Sequence, residues 1–337
     1  MTATILGYLN QEPWRFLISF AAVLFLTLNL AAIFTMAERK VSGYIQLRYG
    51  PNRVGPRGLL QPAADVFKLF SKENVSLGRA DLWIFLAAPI AMFIPAAAVW
   101  LVVPFAPEAV IANLNIALLF FVSITSIGAL GVIMAGYGSR SNFSLLGALR
   151  GAAQMISYEV PLILSLLGVI MLAGSLSLVD VVNAQGGGFW HWYFLPQLPM
   201  FLTFYIAGLA EVKRVPFDLP EGESEISGGF MVEYSGMTWA LIQASEFASM
   251  GVMAAINVTL FLGGWQPPLE VLDLGGFNWI WFGLKTALMT FTFQWIRWSV
   301  PRLRMDQLMD FGWKILVPLC LVWLFVTAGA MLAFQRF

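Results

Sequence analysis

The feature that most constrains this chain is a series of long apolar runs that recurs along its whole length. A helix of about 17–25 apolar residues crosses the roughly 30 Å hydrocarbon layer of a bilayer. Only a helix or a closed barrel satisfies its own backbone hydrogen bonds there. Eight runs reach or approach this length: Phe16–Met36, Trp83–Val103, Ile116–Gly136, Val160–Leu178, Phe194–Ala210, Met237–Gly264, Trp279–Ile296 and Ile315–Phe334. We therefore predict an all-α, polytopic membrane protein with about eight transmembrane helices, forming a single integral membrane domain over residues 1–337.

The composition supports the same conclusion. The 337 residues are 59% hydrophobic and 11% charged, whereas a soluble domain has about 25% charged residues. So few charges would not cover a core of this size in water, so the lipid bilayer is the expected surrounding. The net charge is zero, which gives no indication of a nucleic-acid partner. The first run is longer than the apolar core of a signal peptide and is interpreted as the first helix.

The positions of lysine and arginine predict the orientation, because cytoplasmic loops carry an excess of these residues. Arg15 and Arg336 lie at the two ends of the chain, and Lys285 lies within the seventh run. The other 16 of the 19 cations fall in predicted loops on one side: Arg39, Lys40, Arg48, Arg53, Arg57, Lys68, Lys72, Arg79, Arg140, Arg150, Lys213, Arg214, Arg297, Arg302, Arg304 and Lys314. We predict that the long loops 37–82 and 211–245 face the cytoplasm or matrix, and that both termini face the other compartment. A bacterial inner membrane is the favoured location, with an organellar inner membrane left open.

The segment Arg57–Lys72 within the first long loop is too short and too charged to span a membrane. Its apolar residues can form one stripe, while Asp65 and Lys68 lie mainly off that stripe, and Pro62 suits a helix start. This pattern predicts an amphipathic helix that lies at the membrane surface. Such a helix can serve only as an anchor, or it can form a wall of an entrance for a lipid-soluble substrate.

Acidic residues accumulate where the membrane topology gives no reason for them. The segment 211–246 carries seven: Glu211, Asp218, Glu221, Glu223, Glu225, Glu233 and Glu246. Glu159 precedes the fourth apolar run by one residue, and a carboxylate at membrane depth is a functional hypothesis by default. Glu221, Glu223 and Glu225 share a face in an extended loop and fan out on a helix. Crowded carboxylates in a low dielectric are expected to have raised pKa values, as a proton path requires. A solvated acidic loop and a salt-bridged structural Glu159 are the alternatives.

Redox and metal chemistry find little support in the chain itself. It has one cysteine, Cys320, and one histidine, His191. Neither has the neighbours that a thiolate or imidazole metal site needs, and a GxGxxG unit and a P-loop are both missing from the sequence. We predict that the chain binds no metal, and that any electrons come from a partner.

Six motifs occur in register: ERKxxGYxQxRxGPN, GLLQPxAD, QMISYE, PFDLPEGESE, GFxVEYSG and PRxRxDQLM. In this order they resemble the membrane subunit of proton-pumping NADH-quinone oxidoreductase, respiratory complex I, that borders the quinone tunnel. The resemblance runs from about Glu38 to Lys314. Departures occur at Val212, Lys213, Gly151 and Met231, and Lys213 adds a cation beside Glu211.

This resemblance implies roles for particular residues. The quinone, ubiquinone or menaquinone, would be a substrate, and the other complex I subunits would be partners that carry the NADH and iron–sulfur chemistry. The quinone tunnel would be bordered by Arg39, Asp65, Phe230, Arg297 and Arg302. A path that couples quinone reduction to proton translocation would include Glu159, Glu211, Asp218, Glu221, Glu223, Glu225 and Glu246. Two other functions remain open, the membrane subunit of an energy-converting hydrogenase and a stand-alone secondary transporter, although transporters often show half-repeats that this sequence lacks.

Overall fold

The computed structural model describes residues 13–75, 78, 80–107 and 109–334, without the side chains of residues 13–17, 19, 223, 224, 270 and 334. The side chains of Arg15, Arg79, Glu223 and Arg336, which the sequence analysis names, therefore lie outside the described part. The helices are α1 (Pro13–Ile45), α2 (Gln61–Ser71), α3 (Leu82–Ala98), α4 (Ala117–Gly138), α5 (Asn142–Ala173), α6 (Leu178–Asn183), α7 (Leu198–Glu211), α8 (Glu223–Ile226), α9 (Gly236–Phe261), α10 (Trp279–Ser299), α11 (Met305–Asp310) and α12 (Val317–Phe334).

This architecture confirms the all-α, polytopic prediction. Within the described residues, six segments are long and apolar enough to cross a membrane: Phe20–Ile45, Leu82–Leu101, Ala117–Gly138, Asn142–Ala173, Gly236–Phe261 and Met305–Ala333. The last of these joins α11 to α12 through a turn of π-helix, Phe311–Leu316. The two remaining predicted runs also form helices. α7 has 14 residues, whereas α10 has 21 and carries polar residues along its length.

α9 is the central helix of the bundle. Of its most apolar window, 89% is buried, and it packs against α1, α3, α7 and α10. Its alanines, serines and glycines let the neighbouring helices approach closely, as is usual in membrane bundles. At Gly251 a Cβ atom would stand 2.4 Å from the ring of Phe34 on α1, so only glycine fits there. Polar side chains of α9 are thus enclosed by protein.

Small residues also join α3, α4 and α5. A Cβ atom at Gly131 of α4 would stand 2.6 Å from the side chain of Met92 on α3. A Cβ atom at Gly136 would stand 2.2 Å from that of Ala148 on α5. Any residue larger than glycine at these two positions would force the helices apart. The two glycines therefore set how closely α3, α4 and α5 pack.

Two helices extend further than their apolar runs. α1 continues past Met36 to Ile45, and α5 begins at Asn142 rather than near Val160. Polar residues of the α5 extension find partners inside the protein. The Gln154 amide donates to the carbonyls of Ala210 and Phe217, both at 2.7 Å. Glu159 therefore lies in the middle of a 32-residue helix, although the apolar run in the sequence begins only at Val160.

The predicted amphipathic segment forms α2, an 11-residue helix without a buried residue. It packs against α1 and α9. Phe67 and Phe70 are 75% and 65% exposed, so its apolar face is open to the surroundings of this chain. That is the arrangement expected of a helix at a membrane surface.

Candidate functional site

A small cavity lies where α3, α4, α5, α7 and α9 meet. Glu211 ends α7 and Glu246 lies about three turns into α9, and both line this cavity with Lys213, Ser245 and Ser249. The cavity offers about 40 Å³ to the centres of water molecules, which is room for about three at roughly 10–15 Å³ each. Carboxyl and hydroxyl groups around such a space can bind water and pass protons to it.

Glu159 approaches this site from α5. Its carboxylate is close enough to that of Glu211 to repel it electrostatically. The two residues come from helices far apart in the sequence. The hydroxyl of Ser126 on α4 donates a hydrogen bond to Glu159 Oε1. Glu159 is therefore held between α4 and α7 and is not fixed by a salt bridge among the described residues.

Glu221 approaches from the segment between α7 and α8. Its carboxyl group shares a hydrogen bond with that of Glu246, and Glu246 is 3% exposed. The two carboxyl groups therefore lie side by side in a buried site, where two negative charges would repel each other. Lys213 and Arg214 act electrostatically on Glu246, and they are themselves 6% and 5% exposed. Their positions in the sequence predict that Lys213 and Arg214 are loop charges. In the structure both are buried, and they are counter-charges of the acidic cluster.

A second buried cluster surrounds Glu38 at the end of α1. Arg214 Nη1 donates to both carboxylate oxygens of Glu38, at 3.1 and 3.0 Å. Arg297 of α10 forms a further salt bridge with Glu38. Burial opposes the charge of Arg214, whereas the carboxylates of Glu38, Glu246 and Glu221 favour it, and together they raise its pKa. Arg214 thus connects the two clusters electrostatically.

The remaining acids of the segment 211–246 do not join these clusters in one group. Residues 223–226 form α8, so this segment is not the extended loop in which Glu221, Glu223 and Glu225 would share one face. Glu225 is exposed and accepts a 2.6 Å hydrogen bond from Arg150. That hydrogen bond lowers the pKa of Glu225, so this carboxyl is not among those whose pKa is expected to rise. Asp218 lies between α7 and α8 and is half-buried.

The residues predicted to border a quinone tunnel lie in three places. Arg39 forms a salt bridge with Asp65 of α2. It directly follows Glu38, which pairs with Arg297. Phe230 is fully buried in a core that it shares with residues of α3, α4 and α5, with Lys213 Nζ 5.1 Å from its ring centre. Arg302 lies beside Gly222, where a Cβ atom would stand 2.9 Å from its Nη2.

An apolar groove of about 700 Å³ lies between α7, α10 and α11. Pro216 and Phe217 form part of its wall, and Leu303, which follows Arg302, forms another part. Among the described residues, no group of three or more His, Cys, Asp or Glu is placed to hold a metal ion.

Sequence reasoning misses two residues of these clusters. In the sequence Glu38 belongs to a basic loop motif, yet in the structure it is the acid that two arginines share. An acid directly after a span and beside Arg39 and Lys40 is a usable signal for it. Ser126 gives no signal, because serine is common within membrane helices and its partner Glu159 lies on another helix.

Comparison with known proteins places this arrangement in a family. The sequence model of the NADH dehydrogenase family matches residues 18–328. The H subunit of NADH-quinone oxidoreductase from Rubrobacter xylanophilus is 79% identical over 327 residues, covering 97% of this chain and 99% of that protein. The chain belongs to the family of NADH-quinone oxidoreductase H subunits. Proteins of the same name from Vesicomyosocius okutanii and Ruthia magnifica are 47% identical, covering 91% and 89% of this chain and 88% and 85% of theirs.

Family membership confirms the resemblance drawn from the six motifs. The H subunits are membrane subunits of an oxidoreductase complex, and this chain matches them over nearly its full length. The comparisons give no support to the hydrogenase subunit or to the stand-alone transporter. The individual roles of the named residues are not tested by the comparisons and stay predictions.

Proposed function

We propose that this subunit couples quinone reduction in NADH-quinone oxidoreductase to proton movement through the carboxylates around the α5–α7–α9 cavity. The observation that carries this is the convergence of Glu159, Glu211, Glu246 and Glu221 from four chain segments. Close carboxylates in a low dielectric titrate as a unit, so a change of charge at one shifts the protons of all. The reaction supplies that change, because reducing a quinone consumes protons and alters the local charge.

Quinone would bind near the cytoplasmic ends of α1 and α10. The ion pairs Arg39–Asp65 and Arg297–Glu38 lie there together, and the exposed apolar face of α2 is next to them. Arginine donors suit the polar headgroup or its reduced anion, and the apolar face suits an isoprenoid tail. Arg302, beside Gly222 and the acidic segment, would sense the same headgroup from the other side. Either ubiquinone or menaquinone would fit this chemistry.

The partners would be the quinone-site subunits of the peripheral arm and the adjacent subunits of the membrane arm. They would contact the loops 37–82 and 211–245, which we place in the cytoplasm of a bacterium. Single cysteines at Ser71 and at Trp190, both exposed, in a Cys320→Ser background test this orientation. A membrane-impermeant thiol reagent added to intact cells should label position 190 and spare position 71, and the reverse pattern contradicts the proposal.

Glu159→Gln is the central test, because glutamine keeps the shape and the hydrogen bond from Ser126 but cannot titrate. In the assembled complex it should lower NADH-quinone turnover and proton pumping, and Glu159→Asp should retain more of both. Combining it with Glu246→Gln should cost less than the sum, because one interrupted link already breaks a path. NADH oxidation by an artificial hydrophilic acceptor is the control and should keep its rate. Wild-type turnover and pumping in Glu159→Gln would mean that Glu159 is structural.

A further inference from the structure

The buried face of α10 is polar along most of its length, and the proposed path does not use it. Lys285, Thr286, Thr290 and Gln294 are 6%, 8%, 3% and 2% exposed. The threonines and Gln294 recur every fourth residue, so they stack on one side of the helix. Polar groups inside a membrane bundle are expensive and mark ion pathways more often than apolar positions do.

Each end of this face carries a cation, half-buried Arg297 at one end and buried Lys285 at the other. At one end Arg297 pairs with Glu38. At the other end the Lys285 ammonium donates to the carbonyls of Leu262, Gly264 and Gln266, at 2.6, 3.1 and 2.7 Å. Its Nζ stands 3.9 Å from the ring centre of Trp192. Among the described residues no acid pairs with Lys285, so its charge is held by the backbone that follows α9 and by an aromatic face.

Two contacts fix how α10 runs beside α9. Lys285 reaches the backbone at Leu262, and Gln294 Nε2 donates to the carbonyl of Phe34 at 3.2 Å. The ring of Phe34 in turn presses on Gly251. Positions 285 to 294 of α10 therefore run antiparallel to positions 262 to 251 of α9, and Asn257 lies at a depth between those ends.

Some polar side-chain atoms at this depth have no hydrogen-bond partner in the packed helices. Thr290 Oγ1 donates to the carbonyl of Thr286, and Gln294 is bonded to α1, so both can act simply as links within and between helices. Thr286 Oγ1 and both amide atoms of Asn257 are buried without a protein partner. Interhelical adhesion does not explain these atoms, whereas water-assisted proton transfer does, because hydroxyl and amide groups both donate and accept.

We infer that the polar face of α10, with Asn257, forms a second proton route between the Glu38–Arg297 pair and Lys285. A proton entering at the Glu38 end is relayed by hydroxyl groups and water, and the amide of Asn257 holds that water by hydrogen bonds. Lys285 then releases one proton at the far end and is recharged from the relay. No electron moves, and one proton leaves for each that enters. This inference rests on the proposed function, since it needs a complex that pumps.

The test uses isosteric variants in the whole complex, reconstituted into vesicles. Thr286→Val and Asn257→Leu remove the unpartnered polar atoms, and Thr286→Ser restores the hydroxyl. Thr292→Val is the matched control: Thr292 is also on α10, but its hydroxyl accepts a 2.9 Å hydrogen bond from Tyr205 on α7. Proton release into the vesicles and NADH-quinone turnover are measured together.

We expect Thr286→Val and Asn257→Leu to slow transfer along this route about tenfold or more, toward the 10²–10⁴ range of lost proton-transfer groups. The protons released per electron should then fall by the share that this route carries. Thr286→Ser and Thr292→Val should resemble wild type. Wild-type proton release per electron in both Thr286→Val and Asn257→Leu overturns the route. So does an equal loss in Thr292→Val, which would indicate weakened packing. Lys285→Met should also slow release. If that variant does not assemble, Lys285→Arg takes its place and should slow release too, because a guanidinium keeps the charge but does not give up its proton.

The outcome for this route is separable from that of the proposed function. If Glu159→Gln loses turnover while the α10 variants pump normally, the carboxylate path stands and the α10 route is wrong. If the α10 variants slow release while Glu159→Gln is normal, the route stands and the carboxylate path is wrong.

Discussion

Two buried clusters at the same end of the bundle differ in how many cations accompany their carboxylates. Around Glu38, two arginines serve one acid. Around Glu246, the acids Glu221, Glu211 and, through Glu211, Glu159 outnumber the nearby cations. The first cluster pairs its acid with two cations, whereas the second gathers more carboxylates than cations, and we propose that the second is the titrating cluster.

The difference separates a structural role from a titrating one. Removing one partner of a buried ion pair leaves an uncompensated charge and costs about 3–5 kcal/mol. Replacing a carboxyl group that already carries a proton with an amide leaves no new charge, and the hydrogen bond can persist. Arg214 joins the two, because it pairs with Glu38 and acts on Glu246 and Glu221. Charge changes in the titrating cluster can therefore be felt in the ion-paired one.

The largest expected effect is on stability. Glu38→Gln leaves Arg214, which is 5% exposed, without its carboxylate, and we expect a loss of about 3–5 kcal/mol. Glu246→Gln should change stability much less, since it removes an acid from an acid-rich group. Thermal unfolding of the purified complex, or the amount of assembled complex in membranes, measures both. Equal losses in the two variants would contradict the distinction between the Glu38 cluster and the Glu246 cluster.

The next effect separates two arginines that the family resemblance treats alike. Arg297 belongs to the ion-paired cluster, whereas Arg302 lies beside Gly222 and acts on Glu225. Arg302→Ala should lower quinone-dependent activity roughly ten- to hundredfold, since a hydrogen bond to a charged group contributes about 1.5–3 kcal/mol. Arg297→Ala should lower stability as well. The comparison uses quinone kinetics with reduction of a hydrophilic acceptor as the control. Normal quinone kinetics in Arg302→Ala would make it a membrane-topology residue only.

The sequence predicts one side of this comparison better than the other. Hydrophobic run length alone locates eight helices of the bundle, because hydrocarbon leaves the backbone little choice. Clustered acids such as Glu211, Glu221 and Glu246 are also recognisable, since topology gives no reason for them. The partners within a cluster come from helices far apart in sequence, and no pattern along the chain specifies which of them meet.

The ion-paired cluster shows why counting charges is not enough. Arg214 and Arg297 fall among the loop cations by their place in the sequence. Only packing reveals that the end of α1, the segment after α7 and the end of α10 meet around Glu38. α8 shows a similar limit, because a four-residue helix is too short to have a periodicity that distinguishes it from an extended loop.

A smaller effect is expected at the exposed edge of the ion-paired cluster. Arg39 and Asp65 join α1 to α2, and their side chains are 45% and 19% exposed. Partly solvated pairs of this kind contribute about 0–1 kcal/mol, so Arg39→Gln should scarcely alter unfolding. If α2 borders the quinone site, the KM for quinone should rise while kcat stays close to wild type. The double variant Arg39→Asp with Asp65→Arg should not restore the KM, because position 39 would still have no donor for the headgroup. A restored KM would mean that the ion pair only holds α2 in place.

The smallest effect concerns the exposed pair of Arg150 and Glu225, and pH is the variable that reveals it. The hydrogen bond from Arg150 lowers the pKa of Glu225. A carboxyl whose pKa is lower in the folded state stabilises that state above its unfolded pKa of about 4.3. This stabilisation is lost as the pH falls through the folded value. Wild type should therefore unfold at a slightly higher temperature than Glu225→Gln at neutral pH, and the gap should close below about pH 4.

Arg150→Met supplies the matched control, because it removes the donor and keeps the acid. It should show the same small loss at neutral pH, and Arg150→Met with Glu225→Gln should lose no more than either alone. Neither variant should alter quinone turnover, since the two groups are exposed and lie outside both buried clusters. A marked loss of turnover in Glu225→Gln at unchanged stability would place Glu225 in the proton path. The contrast between paired and titrating acids would then extend to the surface of the acidic segment.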